Sequence, residues 1–203
     1  MTATRVTLDL QDKINSGEAI KLDLGCGSAK QSGHIGIDNK ELAGVDIVAD
    51  IEKGLPFVPD NCVDAIYSSH FFEHVENLER LMAECFRVLR REGRMEVRVP
   101  HFSNPYFYSD YTHRRFFGLY TFHYFAATEN QLERKVPNFY TGVRFRVLSQ
   151  RLIFSSPFPN RNRWKQRLGR IFNRNAYWQE LYEENFCHLF PCYELHVTLA
   201  PDK

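Results

Sequence analysis

Two glycines, Gly25 and Gly27, stand directly behind an apolar run over residues 20–24, and three aspartates surround them: Asp23 inside the run, Asp38 and Asp50 further on. A strand ending in Gly-Cys-Gly can bring its backbone close to a ligand, because glycine makes the tight turn without a Cβ in the way. A dinucleotide would need the longer G-x-G-x-x-G pattern and a helix N-terminus for its pyrophosphate. Here position 30 is Lys, and only nine residues, 26–34, separate the run from the next apolar segment. That is fewer than the dozen or so residues of a crossover helix. The ligand is therefore expected to be a nucleoside without a pyrophosphate. Asp38, ending the second apolar segment, can accept both ribose hydroxyls; Asp50, ending the third, can accept an adenine amino group. Three carboxylates and no cation around the loop favour a positively charged tail. S-adenosylmethionine, with a sulfonium and an ammonium, fits.

The elements that must position these residues are legible. Short apolar runs over 20–24, 34–38, 45–49 and 63–67 read as four strands, with Pro56, Pro59, Asp60 and Asn61 marking the loop before the fourth. Leu78, Leu81, Met82, Cys85, Phe86 and Leu89 recur at helical spacing, with Glu76 and Asn77 suited to the first turn and Arg90, Arg91 and Gly93 to the end. Residues 94–99 alternate as a fifth strand. Strands joined by such connectors predict a parallel α/β sheet, whose ligands sit at the carboxyl ends of the strands beside the point where strand order reverses. Beyond that, the spacing predicts a helix near 114–125, a strand over 143–154, helices near 163–172 and 176–187, and a last strand over 193–199. Nothing in the composition divides the 203 residues, so one domain is expected, with a cofactor half over 20–100 and an acceptor half over 101–203 that carries a basic helical insertion near 160–190.

Taken together, these segments resemble the class I S-adenosylmethionine-dependent methyltransferases. LDLGCG is similar to their first motif, GIDN to the ribose-binding end of the second strand and ADIEKGLPF to the adenine-contacting segment. DAIYSSHFFEHV resembles the motif after the fourth strand, and FRVLRREGRMEVRVP the helix and strand that follow. The resemblance implies a Rossmann-like seven-stranded, mostly parallel sheet with an antiparallel last strand. It also implies that Asp23, Gly25, Cys26 and Gly27 line the methionine end of the cofactor, Asp38 the ribose, Asp50 with Ile51 the adenine, and Ser69 with His70 the neighbourhood of the sulfonium. The short first crossover departs from the common pattern of the family.

A second constellation, HFSNPYFYSDYTHRRFF over 101–117, must start at the carboxyl edge of the sheet, over the cofactor. It also resembles a D-x-x-H-x-x-F stretch of small methyltransferases associated with cell-surface glycan synthesis, with Asp110, His113 and Phe116 in those positions. Methyl transfer from a sulfonium depends on in-line alignment, and such orientation contributes about 7–11 kcal/mol. A sugar hydroxyl also benefits from a base, and histidine supplies roughly 10²–10⁴-fold. His113 oriented by Asp110 is the expected base, with His101 second; the other reading of His113 is that it braces the following helix. Tyr106, Tyr108 and Arg114 are the expected acceptor contacts. His70 and His74 are four apart, a spacing that holds metals on a helix, but His70 ends a strand and the sequence offers no third ligand, so no metal is expected. Cys187 and Cys192 lack a second pair and do not make a zinc site.

Bulk properties narrow the partners. No apolar run approaches the roughly 18 residues of a membrane span, and MTATRVTLDLQDK carries acidic residues where a signal peptide is apolar, so a cytoplasmic protein is expected. Residues 134–179 hold eleven Lys or Arg and no Asp or Glu. Within them Trp164, Leu168, Ile171 and Phe172 share a helical face ringed by Arg163, Lys165, Arg167, Arg170 and Arg174. That face either covers the domain or meets an anionic inner-membrane surface, in which case the acceptor is a lipid-linked sugar. The same arginines suit a nucleotide-sugar diphosphate or an acidic glycan. A pI of about 7.7 and the absence of an Asn/Asp-Pro-Pro-aromatic run after the fourth strand argue against nucleic acid. The rivals to oxygen methylation are methyl transfer to nitrogen or carbon of a metabolite, and a non-catalytic cofactor-binding regulator.

Overall fold

Residues 8–203 are described by the computed structural model of the chain; residues 1–7 of the stretch read above for a signal lie outside it. The strands are β1 (Lys21–Leu24), β2 (Ile35–Asp38), β3 (Ile47–Val48), β4 (Val63–Ser69), β5 (Leu89–Pro100), β6 (Phe145–Ile153) and β7 (Glu194–Pro201). The helices are α1 (Leu8–Ser16), α2 (Leu78–Val88), α3 (Pro159–Phe172) and α4 (Ala176–Asn185). One seven-stranded sheet runs in the order β3-β2-β1-β4-β5-β7-β6. β1 to β5 pair in parallel, and β7 lies antiparallel between β5 and β6. This is the expected mostly parallel sheet with an antiparallel last strand, and α3 and α4 form the helical insertion between the last two strands.

Strand order reverses between β1 and β4, which opens a crevice over the carboxyl ends of both. The central strands read as continuous apolar runs because both faces are covered: Leu22, Leu24, Ile37, Val63, Ile66 and Val97 are all buried. Asn77 caps α2 by accepting from the Arg80 N–H at 2.9 Å, and Leu81, Met82, Cys85 and Val88 form its buried stripe. Glu84 sits at the edge of that stripe. It accepts from the Leu55 N–H at 2.6 Å and from the Arg87 guanidinium, which in turn donates to the carbonyls of Leu55 and Val58. The pair thus pins α2 to the loop before β4.

Three expectations are corrected. The run over 45–49 forms only two residues of strand. The α2 helix ends at Val88, and Arg90, Arg91 and Gly93 belong to β5, because Leu89 already pairs with Val63 of β4. The segment 114–125 is not an α-helix: Phe117 bridges His101, the Phe102 N–H donates to the Phe117 carbonyl at 2.8 Å, and only Thr121–Phe125 makes a short 3-10 turn. Burial decides this. Phe117 and Phe122 are both fully enclosed and stack at 5.6 Å, which overrides the local helical preference.

The basic helix also resolves towards one of its two readings. Leu168 and Ile171 pack on the core, and Phe172 is enclosed by Phe154, Tyr182 and Phe186. Trp164 remains half-exposed beside Phe190. Most of the apolar face therefore packs on the domain it covers, while Trp164 stays exposed. No described helix is long and apolar enough to cross a membrane.

Candidate active site

β1 runs out at Leu24 into Gly25 and Gly27, both in the left-handed region at φ 68° and 51°. Gly25 is required there twice over, since a Cβ would lie 2.3 Å from the Phe71 ring. No helix follows; turns carry the chain to β2, as the short spacing implied. The loop is held from its flanks by carboxylates. Asp38 accepts the Gly27 N–H at 2.9 Å through one oxygen and the Lys40 N–H at 3.0 Å through the other. Asp23 is buried and accepts the Gln31 N–H at 2.7 Å; burial pushes its carboxyl above the ordinary range, only partly offset by that hydrogen bond.

A cleft of about 360 Å³ lies over the loop. Of the nine expected cofactor residues, Gly25, Gly27, Asp38, Asp50, Ile51 and His70 line it. Asp23, Cys26 and Ser69 do not: Asp23 and Cys26 sit under the loop, and burial pushes the Cys26 thiol up to about 12. Asn39, Ala49, Glu52, Phe71 and His74 complete the wall, and the sequence reading missed them. The expectation of carboxylates without cations also needs correcting. Lys53 pairs with Asp50 at 2.8 Å and, beside the cleft, Lys30 with Asp46 at 2.7 Å; among the described residues Asp38 and Glu52 line the cleft without a lysine partner.

At the end of β4, His70 adopts φ 55°, rare for a residue with a Cβ. Its two ring nitrogens lie 3.2 Å from Glu73 and 3.2 Å from Glu194. Hydrogen bonding to Glu194, and then to Glu73, raises His70 to about 10, so it is an imidazolium at neutral pH. Glu194 is pushed up by burial, but hydrogen bonds from His196 and His70 outweigh that and hold it at about 2.

The loop over 101–117 closes on itself through the His101–Phe117 bridge, and the N–H groups of Arg114 and Arg115 both donate to the Glu73 carbonyl, at 2.7 and 3.0 Å. That clamp sets His113 beside the turn after β4. The Phe107 ring lies between His113 (4.7 Å) and Phe116 (4.9 Å), which gives the D-x-x-H-x-x-F spacing a packing role. A second pocket of about 240 Å³ is lined by Asn104, Tyr106, Asp110, His113 and Tyr193, and it shares His70 and His74 with the cofactor cleft.

Other expectations for this loop fail on geometry. His101 is fully buried; its Nδ1 accepts the Ser103 N–H and its Nε2 faces Glu183 at 3.1 Å, so it braces the loop and has no nitrogen free for an acceptor. Tyr108 does not line the pocket, and its hydroxyl donates to the Phe102 carbonyl at 2.6 Å. Arg114 points away and pairs with Glu76 at 2.5 Å.

With this geometry in hand, comparison with known proteins is informative. Residues 22–97 match the family model described as a methyltransferase domain. The stretch covers the glycine loop, Asp38, Asp50 and the turn after β4. The cofactor is S-adenosylmethionine. The match over this stretch supports a methyltransferase dependent on it. Among solved structures, a SAM-dependent methyltransferase from Archaeoglobus fulgidus is 18% identical with a TM-score of 0.52, covering 95% of this chain and 90% of its own. A SAM-dependent methyltransferase from Thermotoga maritima, described as a possible histamine N-methyltransferase, is 15% identical with a TM-score of 0.55, covering 95% and 86%. Likenesses at this identity establish the fold. No curated protein matches the chain.

Proposed function

We propose that this methyltransferase moves a methyl group to a hydroxyl of a small acceptor, a sugar or glycan hydroxyl first, with His113 as the base. The observation that carries this reading is the shared wall: His70 and His74 border both the cofactor cleft and the pocket that holds His113. An acceptor there meets the aromatic rings of Tyr106 and Tyr193 and the amide of Asn104, a lining suited to a hydroxylated ring. His113 Nδ1 lies 3.0 Å from the Phe107 carbonyl, which only accepts, so Nδ1 carries the proton and Nε2 is the basic atom. Asp110 lies 3.5 Å from Nε2, close enough to stabilise the imidazolium that forms. The acceptor O–H proton passes to Nε2, the O–C bond forms as the C–S bond breaks, and the cofactor leaves as the neutral thioether.

The test is turnover with sugar nucleotides, lipid-linked glycans and amines as acceptors, in wild type and His113→Gln. Methylation of a hydroxyl that falls roughly 10²–10⁴-fold in the variant, with S-adenosylhomocysteine affinity kept, supports the reading. Methylation confined to amines overturns the oxygen assignment, and unchanged turnover removes His113 from the step.

A further inference from the structure

Three side chains converge where the turn after β4 meets the loop over 101–117. One donor atom each from Glu73, His74 and His113 lies within 4.8 Å of the other two. We infer that Glu73, His74 and His113 form a binding site for a divalent transition cation of the zinc type, open towards the acceptor pocket. The inference deepens the proposed transfer and rests on it for its chemistry, though not for the binding itself.

The hydrogen bonds around the two histidines fix which atoms are free. His113 Nδ1 donates to the Phe107 carbonyl, as described above. His74 Nδ1 lies 3.3 Å from the Thr112 carbonyl and 3.0 Å from the Thr112 hydroxyl. The Thr112 hydroxyl spends its own proton on Asp110 at 2.6 Å, so it too accepts from His74. Both rings therefore carry hydrogen on Nδ1 and present an Nε2 lone pair. Backbone and hydroxyl partners that fix the tautomer in this way are a regular feature of metal-binding histidines.

The carboxylates complete the case. Glu73 is fully buried, and its Oε2 has no hydrogen-bond partner. A buried carboxylate oxygen left unpaired is costly unless something occupies its lone pairs. The His113 Nε2 lone pair in turn faces Asp110 Oδ2 at 3.5 Å and Glu73 Oε1 at 4.0 Å. The His113 Nε2 lone pair and the Asp110 oxygen repel, and a cation between them turns that repulsion into attraction; Glu73 Oε1 is already taken by His70 Nδ1 at 3.2 Å, which leaves Oε2 as the oxygen for the ion. Ligand atoms around tetrahedral zinc, with bonds of about 2.0–2.1 Å, stand about 3.3 Å apart. From separations of up to 4.8 Å, the three donors would close by up to about 1.5 Å on binding the ion. Two imidazoles and a carboxylate suit zinc and its first-row neighbours rather than magnesium or calcium.

Three protein ligands leave a position for the acceptor oxygen, with Asp110 as a further donor or as an outer partner. A cation there lowers the pKa of a bound hydroxyl, so the acceptor attacks as an alkoxide. The hydroxyl proton goes to water, the O–C bond forms, the C–S bond breaks, and the cation is unchanged. When the cation is bound, His113 serves as its ligand, and the cation replaces it in activating the hydroxyl.

The test is calorimetric titration of the chelator-stripped full chain with Zn²⁺, together with Co²⁺ absorption. The expected result is one ion per chain, with affinity at least tenfold weaker in Glu73→Gln and in His74→Ala and unchanged in His188→Ala, a substitution of an exposed histidine that belongs neither to the cluster nor to the pocket wall. Uptake that is absent, or equal in all variants, overturns the inference. If the variants fail to fold, imidazole ¹⁵N spectra of the wild type decide: two Nε2 resonances shifting with Zn²⁺ support the site, and none shifting overturns it. S-adenosylhomocysteine binding, measured separately, tests the cofactor reading. Its absence would sink methyl transfer without touching the zinc result.

Discussion

Asp38 offers the sharpest test of how the cleft works. Its carboxylate sits at the end of β2, one oxygen on the Gly27 N–H and the other on the Lys40 N–H, with lone pairs left for two ribose hydroxyls. A hydrogen bond to a charged group contributes about 1.5–3 kcal/mol net. Losing two in Asp38→Ala removes at least about 3 kcal/mol of binding, and since 1.4 kcal/mol is tenfold, Kd rises on the order of 100-fold. The same change strips the acceptor from Gly27, so the loop loses about 1 kcal/mol of its own support. Asp38→Asn separates the two effects. Its amide oxygen can still hold Gly27, while the charge and one acceptor are gone, so roughly a tenfold loss is expected with thermal stability near that of wild type. The assay is calorimetric titration with S-adenosylhomocysteine, with NAD as the control ligand and circular dichroism as the folding check. Binding by folded Asp38→Ala within threefold of wild type, or comparable binding of NAD, would refute the argument that this carboxylate reads a ribose in a loop built without a pyrophosphate site.

Other outcomes follow from the packing. Gly25→Ala forces a Cβ to 2.3 Å from the Phe71 ring at φ 68°. The left-handed backbone alone costs about 1–2 kcal/mol, and displacement of Phe71 deforms the cleft wall, so cofactor affinity should fall with little change in secondary structure by circular dichroism. Phe172→Ala should lower stability by about 3–5 kcal/mol in urea titrations, because the ring is enclosed by Phe154, Tyr182 and Phe186. With most of that face occupied, the wild type should not pellet with anionic vesicles; pelleting at low salt would restore the membrane reading. Hydrogen bonding to Arg87 holds Glu84 below the usual carboxylate range, against the opposing effect of burial. A depressed pKa stabilises the fold above the unfolded value and is lost as pH falls through the folded one. Acid titration should therefore show a stability loss below about pH 4.3 that is reduced in Glu84→Gln, whose stability at pH 7 is already lower by roughly 1–3 kcal/mol.

The part of the chain up to β5 could be read along the sequence because its information is local. An apolar run, a glycine turn and an aspartate at a strand end are contiguous residues, and parallel pairing then carries each strand end to the same edge of the sheet. Gly25, Gly27, Asp38 and Asp50 therefore fell into one cleft as expected. The α2 stripe was legible for a similar reason, since helical spacing fixes which side chains share a face. The loop over 101–117 was legible in composition but not in role. Nothing near His101 in sequence announces Glu183, 82 positions away, which takes its Nε2 and removes it from chemistry. Phe117 and Phe122 turned an apparent helix into a bridge and a short turn because burying both rings outweighs a weak local preference. The convergence of Glu73, His74 and His113 belongs to the same class. His70 and His74 carry a familiar spacing, yet the left-handed turn at His70 sends that ring to Glu194, while two backbone hydrogen bonds from Arg114 and Arg115 bring His113 to the Glu73–His74 turn. Short-range sequence determined the cleft over the glycine loop. Contacts between segments some forty residues apart decided what stands opposite it, because the energies that fix them are summed only when the chain is folded.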